Sequence, residues 1–138
     1  MNFSIRKLLP IEWPDAYRLI SQLRDLSLDD FLGSVRMQTL SGYELVGAFE
    51  RERMPGLMGF RPVHTLARGL HLHIDDLVVD GALRSAGTGK ALLDFATIEA
   101  HNRNMNFVFL DARKEAIPFY ERNDFVHHTS PSMKKILK

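Results

Sequence analysis

Cysteine is absent from the 138-residue chain. That excludes disulfides, cysteine-ligated zinc, iron–sulfur clusters and a thiol nucleophile. An excess of one charge sign is missing too: 18 Lys and Arg stand against 17 Asp and Glu, a formal net of +1, with no long basic run. Non-specific nucleic-acid binding is disfavoured on that balance. No apolar stretch approaches the ~20 residues of a membrane span. The start Met1-Asn2-Phe3-Ser4-Ile5-Arg6-Lys7 has no apolar signal-peptide core behind its charges, so a cytoplasmic location is the default expectation. Internal repeats and low-complexity segments are also lacking. What is present is 45% hydrophobic and 25% charged residues, the composition of a soluble globular domain. A chain of this length buries roughly two-thirds of its unfolded surface. A single domain over residues 1–138 is therefore expected.

Phe3, Ile5 and the run to Leu9 predict a first strand stopped by Pro10. Pro14 suits a first helical turn, and Ala16, Leu19, Ile20 and Leu23 follow at helical spacing. Ser27-Leu28-Asp29-Asp30 reads as the cap of a second helix, whose length Gly33 leaves open. Residues 43–49 and 57–66 read as strands, with 51–56 as the hairpin between them. Residues 70–79 form the longest strand candidate, closed by the turn Asp80-Gly81. A helix then carries Lys90, Asp94, Thr97 and His101 as one polar stripe. A short strand over 106–110 and a short helix over 115–122 follow. Residues 125–128 and 133–137 predict a closing hairpin around Ser130-Pro131-Ser132. The order β-α-α-β-β-β-α-β-α-β-β is a mixed α/β layer with one crossover, between the fourth and fifth strands.

The fourth strand breaks its own rhythm. Leu70, Leu72 and Ile74 alternate with His71, His73 and Asp75, but the apolar phase resumes at Leu77 and Val79, one residue out of step. A β-bulge at Asp75-Asp76 would restore the pattern and splay the strand from its neighbour; the alternatives are a strand that ends near Ile74 or one buried on both faces. After the turn comes Arg84-Ser85-Ala86-Gly87-Thr88-Gly89-Lys90. Strand, glycine loop and helix start together point backbone N–H groups at an anion, and the helix dipole adds to that field. Two better-known phosphate motifs fail here. The loop of nucleotide hydrolases needs Gly at Arg84 and Ser or Thr at Ala91; the dinucleotide fingerprint needs a small residue at Leu92. His71, His73 and Asp75 share a strand face that in principle ligates a metal. No fourth ligand is evident, and alternating surface histidines are the commoner situation.

The stretch Ile74-Asp75-Asp76-Leu77-Val78-Val79 followed by Arg84-x-x-Gly87-x-Gly89 resembles the acetyl-coenzyme A signature of the GCN5-related N-acetyltransferase (GNAT) family. Ala116-Ile117-Pro118-Phe119-Tyr120-Glu121-Arg122-Asn123-Asp124-Phe125 is similar to that family's C-terminal motif. Both occur in the family's order, and together they cover about the last half of the chain. Asp124 stands where the family usually has Gly, and Arg113 where it often has Asn. The resemblance implies an acyl-coenzyme A N-acyltransferase fold: an α/β mixed, mostly antiparallel sheet, splayed between strands 4 and 5, with helices on both faces. It implies acetyl-coenzyme A as cosubstrate, a primary amine on a small molecule, peptide or protein as acceptor, and no metal. It is consistent with a homodimer. Pyrophosphate is expected on the backbone of Arg84, Ser85, Ala86, Gly87, Thr88, Gly89 and Lys90. The pantetheine arm is expected to pair with Leu77, Val78 and Val79 as an added strand.

The reaction such a cofactor implies sets requirements. An amine with pKa near ~10 must lose a proton before it attacks a thioester, and the departing thiolate, near ~8.5, benefits from gaining one. A backbone N–H near Val78 is expected to stabilise the oxyanion. Tyr120 matches the family's general acid, and Asp75 is the first candidate for the base, with Asp76 next. Without cysteine, direct attack in a ternary complex is favoured over an acyl-enzyme. The competing class is a non-catalytic acyl-coenzyme A sensing module on the same fold, which needs neither acid nor base. A metal-dependent hydrolase rests only on the histidine face.

Overall fold

The computed structural model describes residues 2–83 and 87–138. A five-stranded sheet runs in the order β1-β2-β3-β4-β5. The strands are β1 (Ser4–Lys7), β2 (Glu44–Glu50), β3 (Arg53–Thr65), β4 (Gly69–Val79) and β5 (Phe107–Leu110). The first three pairings are antiparallel, and β4 meets β5 in parallel. Helices α1 (Trp13–Ile20) and α2 (Leu28–Thr39) cover one face. Helix α3 (Thr88–Asn102) covers the other, where side chains of α4 (Ile117–Arg122) also pack. The architecture is the mixed sheet with helices on both faces that the sequence predicts.

Side-chain alternation divides the core between the two faces. Leu45 and Leu57 point into the layer under α1 and α2, while Val46, Met58 and Phe60 point toward α3. Leu57, Met58, Phe60, Leu72 and Leu92 are fully buried, each removal from water being worth about 1.5–3 kcal/mol. Local signals act as read. Ser27 Oγ accepts from the Asp30 N–H at 3.1 Å, and Asp29 and Asp30 sit in the first turn of α2, where the helix dipole favours them. Gly33 does not end the helix. No helix among the described residues is long and apolar enough to cross a membrane.

The decisive irregularity lies in β4. Phe60 pairs with Ile74 but Gly59 pairs with Asp76, so Asp75 is an extra residue on the β4 side. This is the bulge inferred from the broken hydrophobic rhythm. Pairing between β4 and β5 runs only from His71↔Phe107 to Ile74↔Leu110. Residues 75–79 of β4 therefore extend beyond any β5 partner, and the sheet is open on that side.

Three expectations are corrected. The first strand ends at Lys7, not Leu9. The turn between β2 and β3 is only Arg51-Glu52, with Arg51 at φ 59°, and residues 53–56 already belong to β3. The closing hairpin does not form: no residue from 123 to 138 is in a strand. A hairpin needs an apolar face to bury, and Val126, Met133, Ile136 and Leu137 remain 77–93% exposed.

Candidate active site

The opening beside β4 leads into a cavity of about 1500 Å³. Its walls include Asp75, Asp76, Leu77, Val78 and Val79 of β4, the start of α3 from Gly87 to Lys90, and Tyr120 of α4. These are the residues the sequence singles out, drawn from three elements. Arg84, Ser85 and Ala86 lie outside the described residues.

The bulge changes what each β4 residue presents. The Asp80 N–H donates to the Pro55 carbonyl at 2.8 Å, and the Leu70 carbonyl accepts from Asn106 on the β5 side at 3.5 Å. Antiparallel alternation counted from both bonds agrees only with one extra residue at Asp75. It turns the peptide groups of Leu77 and Val79 toward the gap and those of Val78 toward β3. The N–H groups that face the cavity are thus the neighbours of Val78, not Val78 itself. The same extra residue puts consecutive carboxylates, Asp75 and Asp76, on one face.

Those carboxylates have different partners. Asp76 accepts from the Tyr43 hydroxyl at 2.6 Å and from Arg24 Nε and Nη2 at 3.1 and 3.0 Å. Arg24 Nη2 also donates to the Asp75 carbonyl at 3.0 Å. Burial, and then the adjacent Asp76 carboxylate, push the Tyr43 phenol far above its ordinary value, so it stays a donor. Asp75 Oδ2 accepts from Arg61 Nε at 2.8 Å, while Oδ1 lies 3.8 Å from His73 Nε2. Burial lowers the His73 pKa below its ordinary value, against the raising effect of Asp75.

At the other wall, α3 is capped by Gly87, whose φ of 85° is left-handed, a conformation glycine adopts without strain. A Cβ at Gly89 would lie 2.9 Å from Phe119 Cζ, so the helix start and α4 meet there in a contact only glycine permits. Thr88 is 1% exposed and its Oγ1 has no hydrogen-bond partner among the described residues. Tyr120 packs edge-on between Phe119 and Phe125. Burial raises its phenol pKa, an effect Arg113 partly offsets.

Both departures from the resembled pattern are accommodated. Asp124 takes φ 69°, a left-handed turn that Asp tolerates better than most residues. Arg113 Nη2 donates to the Leu23 carbonyl at 3.1 Å, linking the segment after β5 to the turn that follows α1. His71 is not a surface residue: it is 2% exposed, with Nδ1 3.0 Å from the Gly69 carbonyl and its ring edge-on to Phe109. Among the described residues no group of three His, Asp or Glu is placed to hold a metal. Arg24, Arg61 and Tyr43 carry no signal in the sequence, because only the fold brings them to the bulge.

Residues 29–137 match the family model of the acetyltransferase (GNAT) domain. The chain is 34% identical over 114 residues to an uncharacterized N-acetyltransferase, YhdJ, of Bacillus subtilis (strain 168), covering 79% of this chain and 80% of that protein. Over a shorter stretch of 56 residues it is 39% identical to the glucosamine 6-phosphate N-acetyltransferase of Trypanosoma brucei brucei, covering 41% of this chain and 38% of that one. A Trypanosoma brucei acetyltransferase of solved structure superposes with a TM-score of 0.81 at 25% identity, covering 99% and 100% of the two chains. The chain belongs to the GNAT family of N-acetyltransferases. It is an acyltransferase, and enzymes of this family draw the acetyl group from acetyl-coenzyme A.

The packing around Asp76 gives a test of the site's frame. A Cβ on Gly59, opposite Asp76 in the ladder, would collide with the Tyr43 hydroxyl and ring. Gly59→Ala is expected to cost about 1–3 kcal/mol of stability through overpacking. A Cβ on Gly33, inside α2, meets nothing within 4 Å. Gly33→Ala is expected to stabilise by about 0.4–1 kcal/mol. Urea titration of the two variants checks the pair, and a shift of the same sign in both would refute the account.

Proposed function

We propose that this enzyme acetylates a primary amine by direct attack on acetyl-coenzyme A, with Tyr120 as general acid. One observation carries the reading: the unpaired edge of β4 past the bulge, the glycine start of α3 and the Tyr120 side chain line a single cavity. The residues present fit the cosubstrate. Leu77 and Val79 offer free peptide groups to a pantetheine arm lying as an added strand. The start of α3 offers N–H groups and a dipole to a pyrophosphate. Lys90 lies on the same rim, its Nζ held by Asp94 at 2.7 Å.

In the reaction the amine nitrogen forms a bond to the acetyl carbon and the carbon–sulfur bond breaks. Negative charge passes through the carbonyl oxygen, where the free β4 N–H groups beside Val78 act as donors. It ends on sulfur, which Tyr120 protonates. The Asp75 side of the cavity receives the ammonium form of the acceptor and the proton it gives up. Amino sugars are the first acceptors to assay, because of the stretch shared with glucosamine 6-phosphate N-acetyltransferase; peptide and lysine amines complete the panel. Coenzyme A release with purified protein is the readout. Tight acetyl-coenzyme A binding with silence across the panel would favour a sensing module instead.

Acetyl-coenzyme A should stabilise the fold against heat, by up to about 2.7 kcal/mol at ~100 times its dissociation constant. Gly87→Asp should abolish that gain. It strains the left-handed position and puts a negative charge beside the pyrophosphate. A thermal shift equal to wild type would remove the helix start from the binding site.

Tyr120→Phe should lower kcat by about 10²–10⁴, the range for general acid–base catalysis, with cofactor affinity little changed because the packed ring remains. Burial raises the phenol pKa, so the protonated acid persists to higher pH than an ordinary tyrosine. The alkaline limb of kcat should therefore lie high in wild type and vanish in the variant. Wild-type kcat with chemistry limiting would take Tyr120 out of the mechanism.

A further inference from the structure

We propose that His73 is the base that takes the acceptor's proton, and that the Asp75 carboxylate stabilises the charge its imidazole gains. This rests on the acetyl-transfer reading above. Of the two cavity-facing carboxylates of β4, Asp76 has both oxygens engaged, Oδ2 by Tyr43 and Oδ1 by Arg24. Asp75 has Oδ2 bonded to Arg61. On β4 the acceptor positions left are Asp75 Oδ1 and His73 Nε2, 3.8 Å apart. His73 lines the same cavity, its side chain is 15% exposed, and it makes no hydrogen bond among the described residues.

Proton affinity decides between them. An alkylammonium of pKa ~10 gives its proton to an ordinary carboxylate against a factor of about 10⁶ and to an ordinary imidazole against about 10³–10⁴, a gap that the lowered pKa of His73 widens. A base must also be free of its own proton at the working pH. Burial keeps His73 neutral there, assisted by Arg61 from β3 and His71 on β4, and opposed by Asp75 on β4 and Asp111 after β5. From the α1 side, Arg24 is paired with Asp76 of β4. On protonation, the imidazolium and the Asp75 carboxylate 3.8 Å away form an ion pair.

The step balances. The ammonium gives one proton to His73 Nε2, and the freed lone pair attacks the acetyl carbon. The carbon–nitrogen bond forms and the carbon–sulfur bond breaks. Tyr120 protonates the sulfur and recovers a proton from the new amide nitrogen through water, and His73 releases its proton to solvent.

The pH dependence of kcat, with acetyl-coenzyme A and an accepted amine both saturating, tests the assignment in wild type, His73→Gln and Asp75→Asn. Wild type should show an acid limb below the ordinary histidine range. His73→Gln should lose that limb and about 10²–10⁴ of kcat, with the heat stabilisation by acetyl-coenzyme A unchanged. Asp75→Asn should keep the limb and move it to lower pH, because the carboxylate that supports the imidazolium is gone. A limb kept in His73→Gln and lost in Asp75→Asn overturns the proposal and makes the carboxylate the base. Should His73→Gln not fold, Asp75→Asn decides alone: a shifted limb supports His73, and a vanished one overturns it. A wild type that releases no coenzyme A with any amine, at any pH, overturns the acetyl-transfer reading itself and this assignment with it.

Discussion

One extra residue in one strand organises this molecule. Without Asp75 as a bulge, β4 would keep a single alternation from Gly69 to Val79 and pair regularly with β3. With it, the pairing to β5 stops at Ile74, and the peptide groups of Leu77 and Val79 face open space. Unpaired backbone groups away from water are costly. A sheet keeps them only where water or a ligand strand completes the ladder. The bulge thus creates both the opening and a hydrogen-bonding demand of the kind an extended ligand would satisfy. It also brings Asp75 and Asp76 to one face, which no regular strand does with consecutive residues.

Close packing then fixes the opened strand. Tyr43 lies over Gly59 and hydrogen-bonds Asp76 directly across the ladder. Thr88 rests against Gly56, where a Cβ would come within 2.5 Å of its methyl group. Phe119 lies on Gly89 at the start of α3. Each contact joins two elements through a missing side chain, so the cavity walls are held by sterics as well as by hydrogen bonds. Interiors packed to crystal-like density have little room to relax such contacts.

The bulge was legible because the hydrophobic phase of β4 slips by one residue, a one-dimensional signal. The helix start at Gly87 and the Ser27 cap were legible for the same reason, since their residue types answer local backbone demands. The partners of the carboxylates were not. Arg24 lies 52 positions before Asp76 and Tyr43 lies 33 before it, and nothing in an isolated arginine or tyrosine says which distant strand it meets. The C-terminal segment misled for the opposite reason: its alternation is real, but local pattern forms a strand only where a neighbouring edge accepts it. His71 misled similarly. Read as one of two alternating surface histidines, it is enclosed by Phe109 and the Gly69 carbonyl, neighbours supplied by topology.

In the proposed reaction, the charge pairing around the bulge bears on how an amine reacts rather than merely binds. An unpaired carboxylate in the cavity would hold an ammonium strongly, and so stabilise the protonated form that cannot attack. Binding that favours the ground state over the transition state raises the barrier to the chemical step. Here each β4 carboxylate is matched to an arginine from a different element, Asp76 to Arg24 after α1 and Asp75 to Arg61 on β3. These pairs are partly exposed, so they contribute modestly to stability. Their consequence is electrostatic: the end of the cavity assigned to the acceptor in the proposed reaction keeps polar oxygens for orientation while its net field stays low. An amine entering there is held less firmly as a cation, and the loss of its proton is opposed by less binding energy than a bare carboxylate would impose.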